Sequence, residues 1–255
     1  MKITVLGCGG SSGVPMIGPD WGACDPSNPK NRRRRVSILV EEGGTTVLVD
    51  TPVDMREQCL DAGVRHIDAV VYTHGHADHS HGLDDLRGFN YIKDGSLDVY
   101  GTPATLDSLN ARFSYAFGER SHTGAWYRPA LTPRPVTGPF RVGALDIAPF
   151  EQEHGRATTL GLRFGAFAYS TDASVLSDDA FAALDGIDTW LVDCVRYTPS
   201  PGHAHLPLTL SWIERLAPRR AILTHMAADF DYETLRAELP DGVEPAYDGM
   251  VIEVE

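Results

Sequence analysis

The sequence has no long apolar run, few cysteines and a shortage of basic residues. No stretch of about 18 apolar residues occurs, so we expect no membrane-spanning helix and no membrane partner. The four cysteines, Cys8, Cys24, Cys59 and Cys194, are scattered without a CxxC pair, which disfavours a disulfide framework and indicates a reduced, cytoplasmic protein. The opening residues read as a strand followed by a glycine-rich loop, so we expect no signal peptide.

Acidic residues outnumber basic ones, 35 to 22, which gives a net charge of −13 at pH 7. That balance disfavours a broad electrostatic contact with nucleic acid, which needs clustered Lys and Arg. The hydrophobic share of 42% is ordinary for a globular protein. No repeat or low-complexity linker divides the chain, and we predict a single domain over residues 1–255.

Short apolar runs indicate strands along the whole chain. We predict them at 3–6, 36–40, 45–49, 69–72, 97–100, 145–149, 166–169, 189–192, 221–223 and 250–254, with helices at 54–62, 103–117, 178–184, 208–216 and 232–239. Strands dominate the first half and alternate with helices in the second, which predicts stacked sheets with helices outside. Two long Gly- and Pro-rich loops, 9–35 and 118–139, either cover a site or are plain surface loops.

The segment Thr-His-Gly-His-Ala-Asp-His at residues 73–79 carries the strongest chemical signal. It follows the apolar run 69–72, and residues 74–81 contain four of the ten histidines. Imidazole and carboxylate groups are preferred ligands of zinc and similar divalent ions. The alternative is a surface loop that happens to be rich in histidine. The order of the residues favours a metal site.

Residues 73–79 resemble the HxHxDH signature of the metallo-β-lactamase superfamily. The resemblance implies an α/β (α+β) fold, the four-layer αββα sandwich, with two divalent ions, Zn or Mn, at one edge. It implies three sets of ligands: His74, His76 and His154 for one ion, Asp78, His79 and His225 for the other, and Asp172 shared by both. The later members support this, because His154, Asp172 and His225 appear in the family's order, each just past a predicted strand.

Asp50, at the end of the run 46–49, resembles a carboxylate that lies behind the metal ligands in this superfamily. Such a group would hydrogen-bond a ligand histidine and fix its tautomer. A strand-end cap is the alternative interpretation of Asp50, and it stays open here.

Four further stretches, at 7–15, 192–194, 222–225 and 247–250, narrow the resemblance. They are similar to the phosphodiesterases of the carbon–phosphorus lyase pathway, which open cyclic phosphates of ribose. The resemblance implies hydrolysis of a small phosphodiester, with a ribose cyclic phosphate as the expected substrate, by a metal-activated hydroxide. Asp78 then belongs to the catalytic residues, together with His203 or His205, one of which would protonate the leaving oxygen. The spacing does not choose between these two histidines.

One feature departs from the pattern of those phosphodiesterases, and a second allows two interpretations. In those phosphodiesterases, several cysteines of the first long loop hold a structural zinc that is separate from the metal centre. The loop here keeps only Cys24, which disfavours this structural zinc. Arg34 and Arg35, in the arginine run 32–35, either hold a substrate phosphate or belong to a solvated turn with ion pairs.

Other functions and partners remain as alternatives. A carboxylic ester, thioester or lactam hydrolase, a tRNA-processing nuclease, and a non-catalytic metal-binding carrier protein are all known in the superfamily. The basic, Gly-rich arm with which ribonuclease Z grips tRNA is missing here, which disfavours a nucleic-acid partner. We therefore expect a small-molecule phosphodiester as the partner and leave a homodimer open.

Overall fold

The computed structural model describes residues 1–117 and 128–255. Residues 118–127, which fall in the second of the two predicted long loops, lie outside the described residues. None of the helices in the described ranges is both long and apolar enough to cross a membrane.

The strands of the described chain are β1 (Lys2–Gly7), β2 (Ser37–Glu42), β3 (Thr45–Val49), β4 (Ala69–Val71), β5 (Leu97–Gly101), β6 (Leu131–Pro135), β7 (Phe140–Val142), β8 (Leu145–His154), β9 (Ala157–Phe164), β10 (Phe167–Ser170), β11 (Thr189–Asp193), β12 (Arg220–Thr224), β13 (Val243–Pro245) and β14 (Val251–Glu253). The α-helices are α1 (Met55–Asp61), α2 (Ala77–Ser80), α3 (Arg87–Lys93), α4 (Pro103–Arg112), α5 (Asp178–Leu184), α6 (Leu206–Leu216) and α7 (Tyr232–Glu238). Short 3-10 turns lie at Pro29–Asn31, Leu83–Leu86 and Ser114–Ala116.

The strands form two sheets, in the orders β14-β1-β2-β3-β4-β5-β6 and β13-β12-β11-β10-β9-β8-β7. One apolar cluster joins their facing sides and continues under α5, α6 and α7, with Val49, Leu162 and Trp190 fully buried in it. A second cluster packs the other face of the first sheet against α1, α3 and α4, through residues such as Leu48 and Leu106. The predicted αββα sandwich is confirmed.

Every predicted strand and helix is present, but several elements were not predicted. β6 contains Pro133 and Pro135, which argue against a strand; it lies at the edge of its sheet, where proline is tolerated. The helix predicted over 103–117 ends at Arg112. The strand predicted to end at 149 continues as β8 to His154, which pairs with Ala157 of β9. His154 is therefore the last residue of a strand and not a loop residue.

The carboxyl ends of the parallel strands position the polar residues. β3 and β4 are parallel, as are β10, β11 and β12. The segments that follow these strands therefore emerge at the same edge of the sandwich. Three residues within the first two positions of these segments have left-handed backbone, Asp50 (φ 63°), Asp172 (φ 54°) and His225 (φ 58°), a conformation that non-glycine residues adopt at an energetic cost.

Candidate metal centre

Three histidines form the first group of side chains at this edge. The ligand atoms of His74, His76 and His154 lie within 4.8 Å of one another. The ring centroids of His74 and His76 are 4.5 Å apart, and those of His76 and His154 are 5.1 Å apart. His74 and His154 are buried, whereas His76 is exposed. The group is therefore open to solvent on the side of His76.

A second group contains two carboxylates and two imidazoles. The ligand atoms of Asp78, His79, Asp172 and His225 also lie within 4.8 Å of one another. His79 Nε2 is 3.1 Å from Asp172 Oδ2, and His225 Nε2 is 3.9 Å from Asp78 Oδ2. Of the four, only Asp78 is partly exposed. This group is thus more buried and more acidic than the first.

Asp172 lies between the two groups. Its Oδ1 is 3.9 Å from His74 Nε2 and 3.7 Å from His154 Nε2, both in the first group. The same oxygen is 3.5 Å from His225 Nε2, in the second group. The structure thus brings all seven predicted ligands together, with Asp172 at the place of a shared ligand.

The buried nitrogens of the cluster fit a metal. Among the described residues, Nε2 of His74, of His79 and of His225 is buried and has no hydrogen-bond partner. A buried polar atom left without a partner costs about 1–3 kcal/mol. A divalent cation held by these nitrogens and the neighbouring carboxylates would satisfy them, and mixed His/Asp sets are common ligands of such ions.

The carboxylates and histidines of the cluster shift each other's pKa values. Burial alone would lower the pKa of both His79 and His225, but the surrounding carboxylates outweigh it. Asp172 and Asp50 raise the pKa of His79 well above its ordinary value, and Asp172 with Asp78 raises the pKa of His225 to about 9. In turn, although burial opposes it, the histidines hold the pKa of the Asp172 carboxyl well below its usual range. In the metal-free protein, His79 and His225 therefore hold their protons more tightly than free imidazoles do.

Metal binding should release protons. The pKa of His79 is raised and that of His225 is raised to about 9, so the metal-free protein holds protons on these imidazoles more tightly than free histidine does. Because a ligand imidazole must be neutral, loading the centre at pH 7.5 should release at least one proton, that of His225, and metal affinity should fall as the pH is lowered. Calorimetric titration with metal in buffers of different ionisation enthalpy measures this number. A heat of metal binding that is the same in every buffer would contradict the expected proton release.

Asp50 is fully buried behind His79. Its Oδ2 lies 2.7 Å from His79 Nδ1 and accepts a hydrogen bond of 2.7 Å from Thr73 Oγ1, while Oδ1 accepts one of 2.8 Å from the Thr73 backbone N–H. The bond to His79 Nδ1 turns the other ring nitrogen, Nε2, toward Asp172. Asp50 thus contacts both a candidate ligand histidine and the start of the histidine loop.

Asp50→Asn should weaken metal binding by about 10–100-fold, the usual effect of losing a carboxylate behind a ligand histidine. The amide keeps the size of the side chain but removes the charge that orients the His79 ring. Competition with a chromophoric chelator measures the affinity. Asp188→Asn is the matched control, because Asp188 pairs with exposed Arg219 at the opposite edge. Equal affinities of the two variants would contradict the orienting role of Asp50.

The two candidate acids have different surroundings. His203 Nδ1 is 3.3 Å from Asp193 Oδ2 and 3.9 Å from Asp172 Oδ1. The His203 ring stacks on that of His225 at a centroid distance of 4.6 Å. His205 instead occupies the N-cap position of α6, and none of its contacts with described residues reaches the cluster. The structure brings His203 to the centre and leaves His205 outside it.

Sequence reasoning gave no role to two residues at the centre. Asp193, fully buried at the end of β11, accepts a hydrogen bond of 2.9 Å from the Ala173 backbone through Oδ2, and its Oδ1 is 3.7 Å from His225 Nδ1. Its position at a strand end, like that of Asp50, was a usable signal. Arg112 on α4 donates to the carbonyl of Gly75, between two of the histidines, and nothing in the local sequence predicts this contact.

The remaining predicted site residues lie away from the cluster. Arg34 pairs with Asp248 and Asp61, and Arg35 pairs with Asp54. Within the described residues neither guanidinium contacts any of the seven clustered side chains, so the ion-paired turn matches their surroundings.

Cys24 is buried in a small apolar cluster near the first long loop. Its Sγ lies 3.2 Å from the Phe230 carbonyl oxygen and 3.7 Å from Nη1 of buried Arg33. No candidate metal-ligand group in the described ranges includes Cys24. A guanidinium thus contacts the thiol, which gives no support to a structural zinc there.

Residues 45–226 match the family model of the β-lactamase superfamily domain. The chain belongs to the metallo-β-lactamase superfamily. A crystal structure of a diphosphatase from the PhnP family is 36% identical to this superfamily member, with a TM-score of 0.90, and the match covers 100% of this chain and 98% of that one. The resemblance seen in residues 73–79 is confirmed.

Two curated relatives of this metallo-β-lactamase superfamily member are longer proteins. An octanoyltransferase from Porphyromonas gingivalis is 31% identical over 98% of this chain and 51% of its own length. A ribonuclease Z from a Bradyrhizobium species is 29% identical over 54% of this chain and 46% of its own length. The chain spans about half the length of these relatives, so neither activity passes to it by similarity alone.

Proposed function

We propose that this enzyme hydrolyses a small phosphodiester with the help of two divalent ions, Zn or Mn. The observation that carries the proposal is the position of Asp172 between the two ligand groups, with the His203 imidazole beside it. Paired ions suit displacement at phosphorus. The similarity to a diphosphatase and to a ribonuclease, which both cleave bonds to phosphorus, supports the same class of reaction.

The ligands would divide between two ions. His74, His76 and His154 would hold one ion, Asp78, His79 and His225 the other, and Asp172 both. When bound, the ions supply an activated water and stabilise negative charge that develops at the phosphate. Asp50 would hold the His79 ring in the ligand orientation, and Asp78 is the member of the second group that is partly exposed to solvent.

His203 is the proton donor in this proposal. The Asp193 carboxylate lies 3.3 Å from Nδ1, where it can accept a hydrogen bond and hold the ring in place. The second ring nitrogen, Nε2, would then donate its proton to the leaving oxygen. Positioned acids of this kind contribute about 10²–10⁴-fold to a rate.

A ribose cyclic phosphate is the substrate that we propose first, and a diphosphate linkage is the second candidate, favoured by the 36% identical diphosphatase. Carboxylic esters, thioesters and lactams need less help from an acid, which makes the arrangement at His203 less useful for them. The net charge of −13 disfavours tRNA as a substrate.

A substrate panel with the metal-loaded protein tests the proposal. It compares bis(p-nitrophenyl) phosphate, a ribose cyclic phosphate, a nucleoside diphosphate derivative, a precursor tRNA, a thioester and a β-lactam. We expect turnover of the small phosphorus compounds and its loss in His76→Ala, which removes one exposed ligand. Turnover of the carbonyl compounds alone would refute the phosphodiesterase assignment.

A further inference from the structure

The arginine run 32–35, which the proposed reaction does not use, lines a cavity of about 530 Å³. This volume is in the range of small-molecule sites. Three carboxylates, those of Asp54, Asp61 and Asp248, also line it, whereas the guanidinium of Arg33 is buried against Cys24 and Phe230. The three remaining guanidinium groups of the run therefore balance three carboxylates at the cavity, in a chain whose net charge is −13.

Two of the guanidinium groups keep a donor free of protein partners. Arg34 uses Nε for Asp248 and Nη1 for Asp61, at 3.2 and 2.8 Å. Arg35 uses Nε for the Ser11 carbonyl and Nη1 for Asp54. Across the described residues, Nη2 of each side chain has no hydrogen-bond partner. Each of these two cavity-lining side chains therefore keeps one nitrogen that a ligand can use.

The weakest carboxylate contact in the cavity is that of Asp61. Its side chain is 67% exposed, whereas those of Asp54 and Asp248 are 21% and 10% exposed. An exposed ion pair is screened by water and contributes little, so an incoming anion can replace Asp61 beside Arg34 at small cost. Arg32, which is exposed and lies over the Trp21 ring, adds a further positive charge at the cavity.

The cavity shares a loop with the metal centre. Ser12 and Gly13 line the cavity, and Gly10, two residues before Ser12, lies against His225. A Cβ atom at Gly10 would be 3.5 Å from Cε1 of His225. The two sites therefore lie on either side of the short segment 10–13.

We propose that this cavity binds the phosphate group of a small phosphorylated ligand, at a site separate from the metal centre. Nη2 of Arg34 and of Arg35 are its donors, and Arg32 attracts the anion. A guanidinium fork suits phosphate oxygens in geometry and charge. The ligand is either the second phosphate of the substrate, in which case the proposal rests on the proposed function, or a free phosphate ion.

Calorimetric titration of the metal-loaded, full-length protein with inorganic phosphate tests the site. Arg32→Glu should weaken binding about tenfold, and Asp61→Asn should strengthen it about threefold, because each changes the charge at the cavity without disturbing a buried group. The matched controls are Arg219→Glu and Asp188→Asn, which make the same charge changes in an ion pair at the opposite edge. Thermal unfolding checks that all four variants are folded.

The outcomes separate this proposal from the proposed function. Equal changes of phosphate affinity in the cavity variants and their controls would overturn the anion site. A wild-type protein that binds no phosphate would also overturn it. Cavity-specific shifts in a protein that hydrolyses no phosphodiester would uphold the site and reject the activity. If the ligand is part of the substrate, Arg32→Glu raises the KM of a phosphodiester with an extra terminal phosphate more than that of bis(p-nitrophenyl) phosphate. If it is free phosphate, added phosphate changes the rate with both substrates.

Discussion

Asp172→Asn should lower kcat/KM for a phosphodiester by about 10³-fold or more, and it should also lower the content of bound metal. The reason is geometric, because one carboxylate lies within 3.9 Å of ligand nitrogens from both groups. An amide in its place keeps the volume but carries no charge and presents a donor on one side. Steady-state kinetics and elemental analysis of the purified variant measure both effects.

The matched control for this variant is Asp188→Asn, which removes a half-buried carboxylate paired with exposed Arg219 at the opposite edge. It should keep both the wild-type rate and the wild-type metal content. An Asp172→Asn protein that retains two ions and full activity would show that the two groups do not share this ligand.

His203→Ala should slow hydrolysis of a phosphodiester with an alkoxide leaving group by about 10²–10⁴-fold. The same variant should slow bis(p-nitrophenyl) phosphate far less, because p-nitrophenolate leaves as a stable anion and needs little proton transfer. Its metal content should stay at the wild-type value. The difference between the two substrates is the diagnostic result, since a damaged metal centre would slow both equally.

His205→Ala provides the comparison for this experiment, since His205 starts α6 outside the cluster. We expect the His205→Ala variant to hydrolyse both substrates at the wild-type rates. Asp193→Asn should share the pattern of His203→Ala in weaker form, because it removes the carboxylate that holds His203 Nδ1. A dependence on the leaving group in His205→Ala instead of His203→Ala would exchange the roles of the two histidines.

The sandwich and the clustering of its ligands could be predicted because the relevant signals are local. Residues 73–79 are contiguous, and Asp172 and His225 follow short apolar strands whose ends meet at one edge. β6 could not be predicted, because its two prolines are acceptable only at a sheet edge, and sequence alone does not give strand order. His154 was misplaced by a few residues because the polar end of β8 alternates buried Gln152 with exposed neighbours.

The choice between His203 and His205 required the structure. Both lie before the same helix with one residue between them, and only the contact with Asp193 and the stacking on His225 distinguish them. The arginine run posed the same difficulty. Arg33 is buried while Arg34 pairs with Asp248, more than 200 positions away in sequence. Contacts between residues so far apart in the sequence cannot be predicted from a local pattern.

The left-handed backbone at Asp50, Asp172 and His225 has a consequence for engineering this protein. Each of these residues holds a conformation that costs about 1–3 kcal/mol and that glycine adopts freely. Glycine there relaxes the main chain and also removes a buried charge or imidazole. A library screened only for survival on heating would therefore accumulate inactive members at these three codons, so a useful screen has to score turnover together with heat resistance.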